Sequence, residues 1–249
     1  MVFQEPLIFR SKSVPDSYKF KILIPHKEYI YKDTIQHSNK TIFNAIYAPR
    51  HSIKGYIFYL HGTSDNVEYH TQFIPFFTDK GYQVWMMDYP GFGKSRGNRS
   101  EASIYEDAEQ MFDTFAHQIS IPSEDIIIVG NDLGTGIATH LALRKETKKL
   151  VLISPFTDLV SLFKDYVPWF PFNLFLNYKF PNEENLKEYR GKVGIFFGTN
   201  NLFIPYRNVR KLQTVLKPGD EYHEYGKSFS LKTMYNDSFQ EDLLKFLEK

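Results

Sequence analysis

A chain of 249 residues that is 42% hydrophobic and 17% aromatic has the material for one large domain, residues 1–249, with a sizeable core. Its formal net charge of +1 gives no electrostatic case for nucleic acid or for an anionic membrane surface. The absence of cysteine excludes thiol catalysis, Cys-based zinc sites and disulfides.

The first six residues lack a basic region followed by a long apolar stretch, so no signal peptide is expected. No apolar run approaches the ~18 residues of a membrane span, and a cytoplasmic location is the expectation. Residues 18–24 and 41–47 predict antiparallel lead-in strands. Residues 56–60, 82–87, 126–129, 150–153 and 193–197 are nearly continuous in β-branched, aromatic and other apolar residues. That pattern suits strands buried on both faces. Between them lie helical patterns. Ser103-Ile104-Tyr105-Glu106 has capping-box form, and the helix it opens sets Ile104, Ala108, Met111, Phe112 and Phe115 on one stripe. Residues 134–143 and 206–215 predict further helices. Residues 221–225 predict the last strand. A final helix from Asp237 turns Phe239, Leu243, Leu244 and Leu247 inward. The alternation predicts parallel βαβ architecture.

Residues 156–190 break the rhythm. They hold Phe163, Tyr166, Trp169, Phe170, Phe172 and Phe175 among three prolines. The stretch follows a strand whose C-terminal end faces the ligand crevice of such sheets. It reads as a small apolar cap over a pocket, the alternative being an insertion packed on the main core.

Four motifs follow successive strands: Leu60-His61-Gly62-Thr63, Asp88-Tyr89-Pro90-Gly91-Phe92-Gly93-Lys94-Ser95, Gly130-Asn131-Asp132-Leu133-Gly134 and Gly198-Thr199-Asn200-Asn201. In this order and spacing the chain resembles the α/β-hydrolase superfamily, in its small serine aminopeptidase-like and lipase-like branch. The resemblance runs from about residue 41 to the C-terminus. It implies an α/β-hydrolase fold: a mostly parallel twisted sheet, helices on both faces and a small aromatic-rich cap insertion. It also implies a nucleophile elbow of the form Gly-x-Ser-x-Gly, an acid after a later strand and a histidine after the last one.

None of the three triad positions carries the expected residue. The elbow holds Asp132, whose side chain tolerates left-handed backbone angles. The acid position holds Asn201. The histidine window, residues 226–230, contains no histidine, and Lys227 is the best match. His223 is the fallback base if the strand boundary shifts by a few residues; mid-strand, it otherwise reads as an ordinary strand histidine. Asp158 stands at a second acid position of the fold but also suits the cap of the following helix. The oxyanion donors implied by the family are the N–H groups of Thr63 and Leu133. Ser95 lies in a second Gly-x-Ser-x-Gly, Gly93-Lys94-Ser95-Arg96-Gly97, that opens no helix and reads as structural. His61 reads as a packed loop residue, and His117 and His140 as surface residues. No close histidine pair suggests a metal, and no cofactor is implied.

Two readings follow. In the first, the protein has lost triad hydrolysis and acts by binding a small apolar ligand under the cap, or a partner. An ion pair of Asp132 with Lys227 is then expected, because it offsets the cost of burying an isolated carboxylate. In the second, Asp132 is a nucleophile on an alkyl halide or epoxide, as in the haloalkane dehalogenases and epoxide hydrolases that share this fold, with Lys227 or His223 as base.

Overall fold

The computed structural model describes residues 4–15, 17–18, 29–37, 40–47, 52–228 and 230–249. Two compact units divide the chain, Met1–Ile127 and Ile128–Lys249.

In the first unit, strands β1 (Tyr29–His37), β2 (Lys40–Tyr47), β3 (Gly55–Leu60) and β4 (Tyr82–Met87) lie in the order β3-β4-β2-β1. β3 and β4 are parallel, with Ile57 opposite Val84. β2 runs antiparallel to both β4 and β1. The expected lead-in strand at 41–47 is therefore present as β2; residues 19–24 of the other lie outside the described residues. Phe58, Leu60, Val84 and Met86 are completely buried. Alternate residues point to opposite faces, so burial of neighbours such as Phe58 and Tyr59 means that both faces are covered.

Helix α1 (Glu101–Ile119) covers one of those faces with the stripe read from its sequence: Ile104, Ala108, Met111, Phe112 and Phe115 are all buried. Phe112 meets Phe58 edge-on at 5.5 Å, and Phe115 meets Trp85 at 4.5 Å. The helix begins three residues earlier than the capping-box reading placed it. Ser100 is the N-cap, in extended conformation, and Ser103 is its N3 partner; each hydroxyl accepts from the other's backbone N–H. A serine at N3 closes the box as a glutamate does, because the box needs only a reciprocal acceptor.

The second unit holds β5 (Ile126–Asn131), β6 (Lys149–Ile153), β7 (Lys192–Gly198) and β8 (Glu221–Tyr225), in the order β8-β7-β6-β5 and all parallel. Helix α2 (Gly134–Lys145) joins β5 to β6. The insertion contributes α3 (Leu159–Tyr166), α4 (Phe172–Phe175) and α5 (Asn182–Glu188) between β6 and β7. The pattern at 206–215 divides into α6 (Tyr206–Arg210) and a 3₁₀ turn, Lys211–Val215. The last helix, α7 (Asp237–Glu248), buries Phe239, Leu243, Phe246 and Leu247. Leu244 is only half-buried, and Phe246 takes the inward place. At 100° per residue, positions i+4, i+7 and i+8 from Phe239 share a stripe, whereas i+5 falls on its flank.

The insertion behaves in two ways. Phe156, Leu159, Tyr178, Phe180, Leu186 and Tyr189 are buried. Asn182, itself fully buried, fixes this part to α2: its amide donates to Thr135 Oγ1 (3.1 Å) and Phe156 O (2.8 Å), and its carbonyl accepts from Thr139 Oγ1 (2.8 Å). Tyr166, Trp169, Leu174 and Phe175 are exposed. One part is thus core packing, as in the alternative to a cap, and the other presents aromatics to water. No helix among the described residues is long and apolar enough to cross a membrane.

Phe112 is fully buried and holds α1 against β3. Phe112→Ala is expected to lower the unfolding free energy by about 3–5 kcal/mol, read as a shift of the urea midpoint at unchanged m-value.

Candidate functional site

Only two residues separate the end of β5 at Asn131 from the start of α2 at Gly134. A chain that reverses from strand to helix in so short a space needs one residue in the left-handed region. That residue is Asp132, at φ 52°. Its backbone is held on both sides. The Asp132 N–H donates to Ile153 O of β6 (2.9 Å), and its carbonyl accepts from Thr135 N (3.0 Å) and Thr135 Oγ1 (2.6 Å). The turn also needs α2 to press on β5. A Cβ on Gly130 would sit 2.6 Å from Ala138 Cβ and 2.7 Å from Gly134 O, so only glycine fits. The Asp132 side chain is half-buried. The Leu133 N–H, at the helix N-cap, has no hydrogen-bond partner among the described residues. A helix start leaves its first N–H groups unbonded, so this donor remains available to an oxygen at the elbow.

Of the residues read from the sequence around the site, His223, Asn201 and Asp158 are held by other partners and Lys227 is exposed. His223 lies within β8, opposite Phe196 in register, with its ring stacked on that phenyl at 5.0 Å. One imidazole nitrogen is 3.0 Å from Glu221 Oε2, and the other is 3.6 Å from Asp242 Oδ2 of α7. β8 is three strand spacings, roughly 14 Å, from β5. Lys227 occupies a left-handed position at φ 59° in the turn after β8, and its side chain is exposed. No ion pair joins Lys227 to Asp132 among the described residues, contrary to expectation. The turn directs the lysine to solvent, where no desolvation cost requires a partner. Asn201 Oδ1 accepts from Phe203 N (2.9 Å) and Ile204 N (3.0 Å) and so shapes the loop after β7. Asp158 is the N-cap of α3 and accepts from Ser161 N (2.8 Å).

In the first unit, Thr63 Oγ1 accepts from Arg10 Nη2 (3.3 Å). His61 is fully buried, with Nδ1 2.8 Å from Gly62 O and its ring 4.4 Å from that of Tyr89. Its Nε2 is 3.4 Å from Asp88 Oδ1. Burial pushes the Asp88 carboxyl above its ordinary range, despite opposing contributions from His61 and the Val67 N–H. Ser95 is fully buried and donates to Asp88 O (2.7 Å), so its hydroxyl closes the loop after β4. His117 is exposed and His140 half-buried.

Sequence reasoning did not single out Asn182 or Asn208. Asn208 is fully buried; its carbonyl accepts from Thr157 N (2.8 Å) and its amide donates to Asp165 Oδ2 (2.8 Å). It ties the exit of β6 and the end of α3 to α6. An asparagine in a polar stretch carries no signal of such a role, because its partners lie 43–51 positions away in the chain.

Residues 56–230 match the family model for the alpha/beta hydrolase fold. The lysophosphatidylserine lipase ABHD12 of Macaca fascicularis is 30% identical over 194 residues, which cover 70% of this chain and 48% of that protein. The corresponding lipase of Mus musculus is 30% identical over 203 residues, covering 73% and 50%. The chain thus spans about half the length of these relatives. An esterase structure from Pyrococcus furiosus superposes with a TM-score of 0.74 at 16% identity over 97% of each chain, a likeness of fold.

Two measurements follow from the geometry. Asp132→Val is expected to be about 1–2 kcal/mol less stable than Asp132→Gly, because a β-branched residue resists the left-handed region that glycine accepts; paired urea melts give the difference. The second concerns acid. Burial raises the Glu221 pKa, but hydrogen bonds from Lys249 and His223 outweigh it and hold the carboxyl below its ordinary value of 4.5. A depressed carboxylate contributes stability above its unfolded pKa and loses it as pH falls through the folded one. Stability should therefore drop below that pH, and Lys249→Ala should flatten the drop in urea melts across the acid range.

Proposed function

Because the chain belongs to the alpha/beta hydrolase fold family, we propose that it is a member without Ser-His-Asp hydrolysis that binds a small ligand by its apolar part, a single acyl chain, instead of cleaving an ester or peptide. The observation that carries this reading is Asp132 at the left-handed elbow position. A carboxylate attacking a carboxylic ester forms a tetrahedral adduct that expels the carboxylate again, because it is a far better leaving group than the ester's alkoxide, so the acyl-enzyme (an anhydride) does not accumulate. A serine alkoxide gives an ordinary ester. The surroundings support the same reading. The imidazole of His223 is engaged by Glu221 and Asp242, and Asn201 holds a loop turn. His223, so held, is not available to an acid at the Asn201 position.

The ligand class follows from the relatives and from the insertion. The lipases that the chain resembles are named for lysophosphatidylserine, a single-chain phospholipid. Residues 156–190 supply the aromatic surface that an acyl chain needs, and they act here as a cap. The Leu133 N–H is the donor for the ligand's polar end. In a second reading Asp132 alkylates with a halide or epoxide. The half-buried carboxylate favours it, but of the two bases read from the sequence Lys227 is exposed and His223 is held by Glu221 and Asp242.

The test combines three assays on the full chain. A fluorophosphonate probe should leave residue 132 unlabelled, and nitrophenyl esters should not be turned over. Asp132→Ser should not restore turnover to serine-hydrolase levels, since a general base contributes ~10²–10⁴ in rate. Native mass spectrometry should detect a non-covalent complex with lysophosphatidylserine. Ester turnover abolished by Asp132→Asn would overturn the proposal. A covalent adduct on Asp132 after exposure to an alkyl halide or epoxide would replace it with the second reading.

A further inference from the structure

Nine large hydrophobic side chains are exposed among the described residues, and six of them belong to two short stretches of the second unit. Tyr166, Trp169, Leu174 and Phe175 come from the insertion, and Leu202 and Phe203 from the loop after β7. The two stretches meet, since the Tyr166 hydroxyl donates to Phe203 O at 2.9 Å. Within the insertion, Phe170 lies 6.2 Å from Trp169 and 5.5 Å from Phe175, ring to ring. Phe170 also packs on Phe172 (4.7 Å), and Phe172 stacks on Phe163 of α3 (5.4 Å). The exposed rings are thus mounted on a packed aromatic base. Scattered surface hydrophobics need no explanation, but a contiguous aromatic patch with a tryptophan 83% exposed marks an interaction surface.

The charge pattern indicates what covers it. Residues 166–178 contain no charged side chain, and exposed lysines, Lys164 and Lys179, bound the stretch at either end. Asp165, beside Lys164, is already engaged by Arg207 and Asn208. Phenylalanine and leucine suit the acyl boundary of a bilayer, tryptophan and tyrosine suit the headgroup level, and lysine stems extend along apolar surface to reach phosphates. A symmetric dimer through this face would bring like charges together at its rim, whereas a phospholipid surface sets them against opposite ones.

We propose that this face docks on a phospholipid bilayer surface, with Trp169, Leu174 and Phe175 entering the headgroup–acyl boundary. The net charge of +1 provides no long-range attraction, so docking rests on insertion, and the two lysines add a preference for anionic lipid. The inference does not depend on the chemistry at Asp132.

The tryptophans make it measurable. Trp85 is 1% exposed, so a lipid-dependent change in emission reports Trp169. The full chain is mixed with vesicles of phosphatidylcholine, alone or with phosphatidylserine. The expected results are co-sedimentation, tighter with phosphatidylserine, and a blue shift of emission that brominated lipids quench and that Trp169→Phe abolishes. The double substitution Leu174→Ser and Phe175→Ser should weaken partitioning by about tenfold or more. Leu174 is exposed and Phe175, though also exposed, packs its ring on Phe170, so the melting temperature of this variant should fall by no more than about 2–4 °C. Absence of co-sedimentation with either vesicle overturns the proposal. So does equal binding by the double variant. A dimer seen by light scattering that the double variant dissociates, without vesicle binding, assigns the face to a second copy and equally overturns it.

Discussion

The left-handed backbone at Asp132 is the constraint on which the second unit depends. A strand and a helix separated by two residues can be joined only if one residue takes positive φ and if the helix can lie almost against the strand. Asp132 meets the first condition and Gly130 the second. The hydrogen bond from Asp132 N to Ile153 then binds the turn to the neighbouring strand. Pressed so close, α2 offers small residues to its other neighbour. A Cβ on Gly136 would lie 2.5 Å from Phe180 Cβ, so the insertion rests on the same helix that the elbow positions.

The elbow's architecture is therefore independent of the chemistry usually performed there. Nothing in the backbone geometry requires serine; it requires a residue that tolerates φ near 50°, and aspartate does. Other polar residues singled out in the sequence also serve local structure. Asn201 organises a turn, Asp158 caps a helix and His223 bridges β8 to α7 through carboxylates. Each of these tasks uses the same polar atoms that catalysis would use, and each is strongest when those atoms stay where they are.

The insertion combines two surfaces with opposite requirements. Toward α2 it is held by a fully satisfied amide, Asn182, among threonines and buried rings. Away from it, the aromatic stack from Phe163 to Phe175 keeps large apolar groups in water. The first surface makes the second possible, because exposed rings persist in one arrangement only when their base is rigid.

By itself the sequence determined the strands of the parallel part of the sheet, the tight turn at Asp132 and the family, but not the strand Tyr29–His37. Continuous apolar runs, a tight Gly-x-x-x-Gly turn and alternating helical stripes are local patterns with few structural solutions. It also singled out Asp132 and Asn201 as candidate site residues. Only the tertiary structure decided which side chains answer one another. In the sequence His223 is an ordinary strand histidine or, at most, a fallback base, and Lys227 looks like a partner for Asp132. The imidazole instead meets Asp242, 19 residues further on, and the lysine turns to solvent. Sequence specifies local backbone preference and which faces are apolar; polar pairing depends on distances between segments remote in the chain, and those exist only once the sheet has assembled.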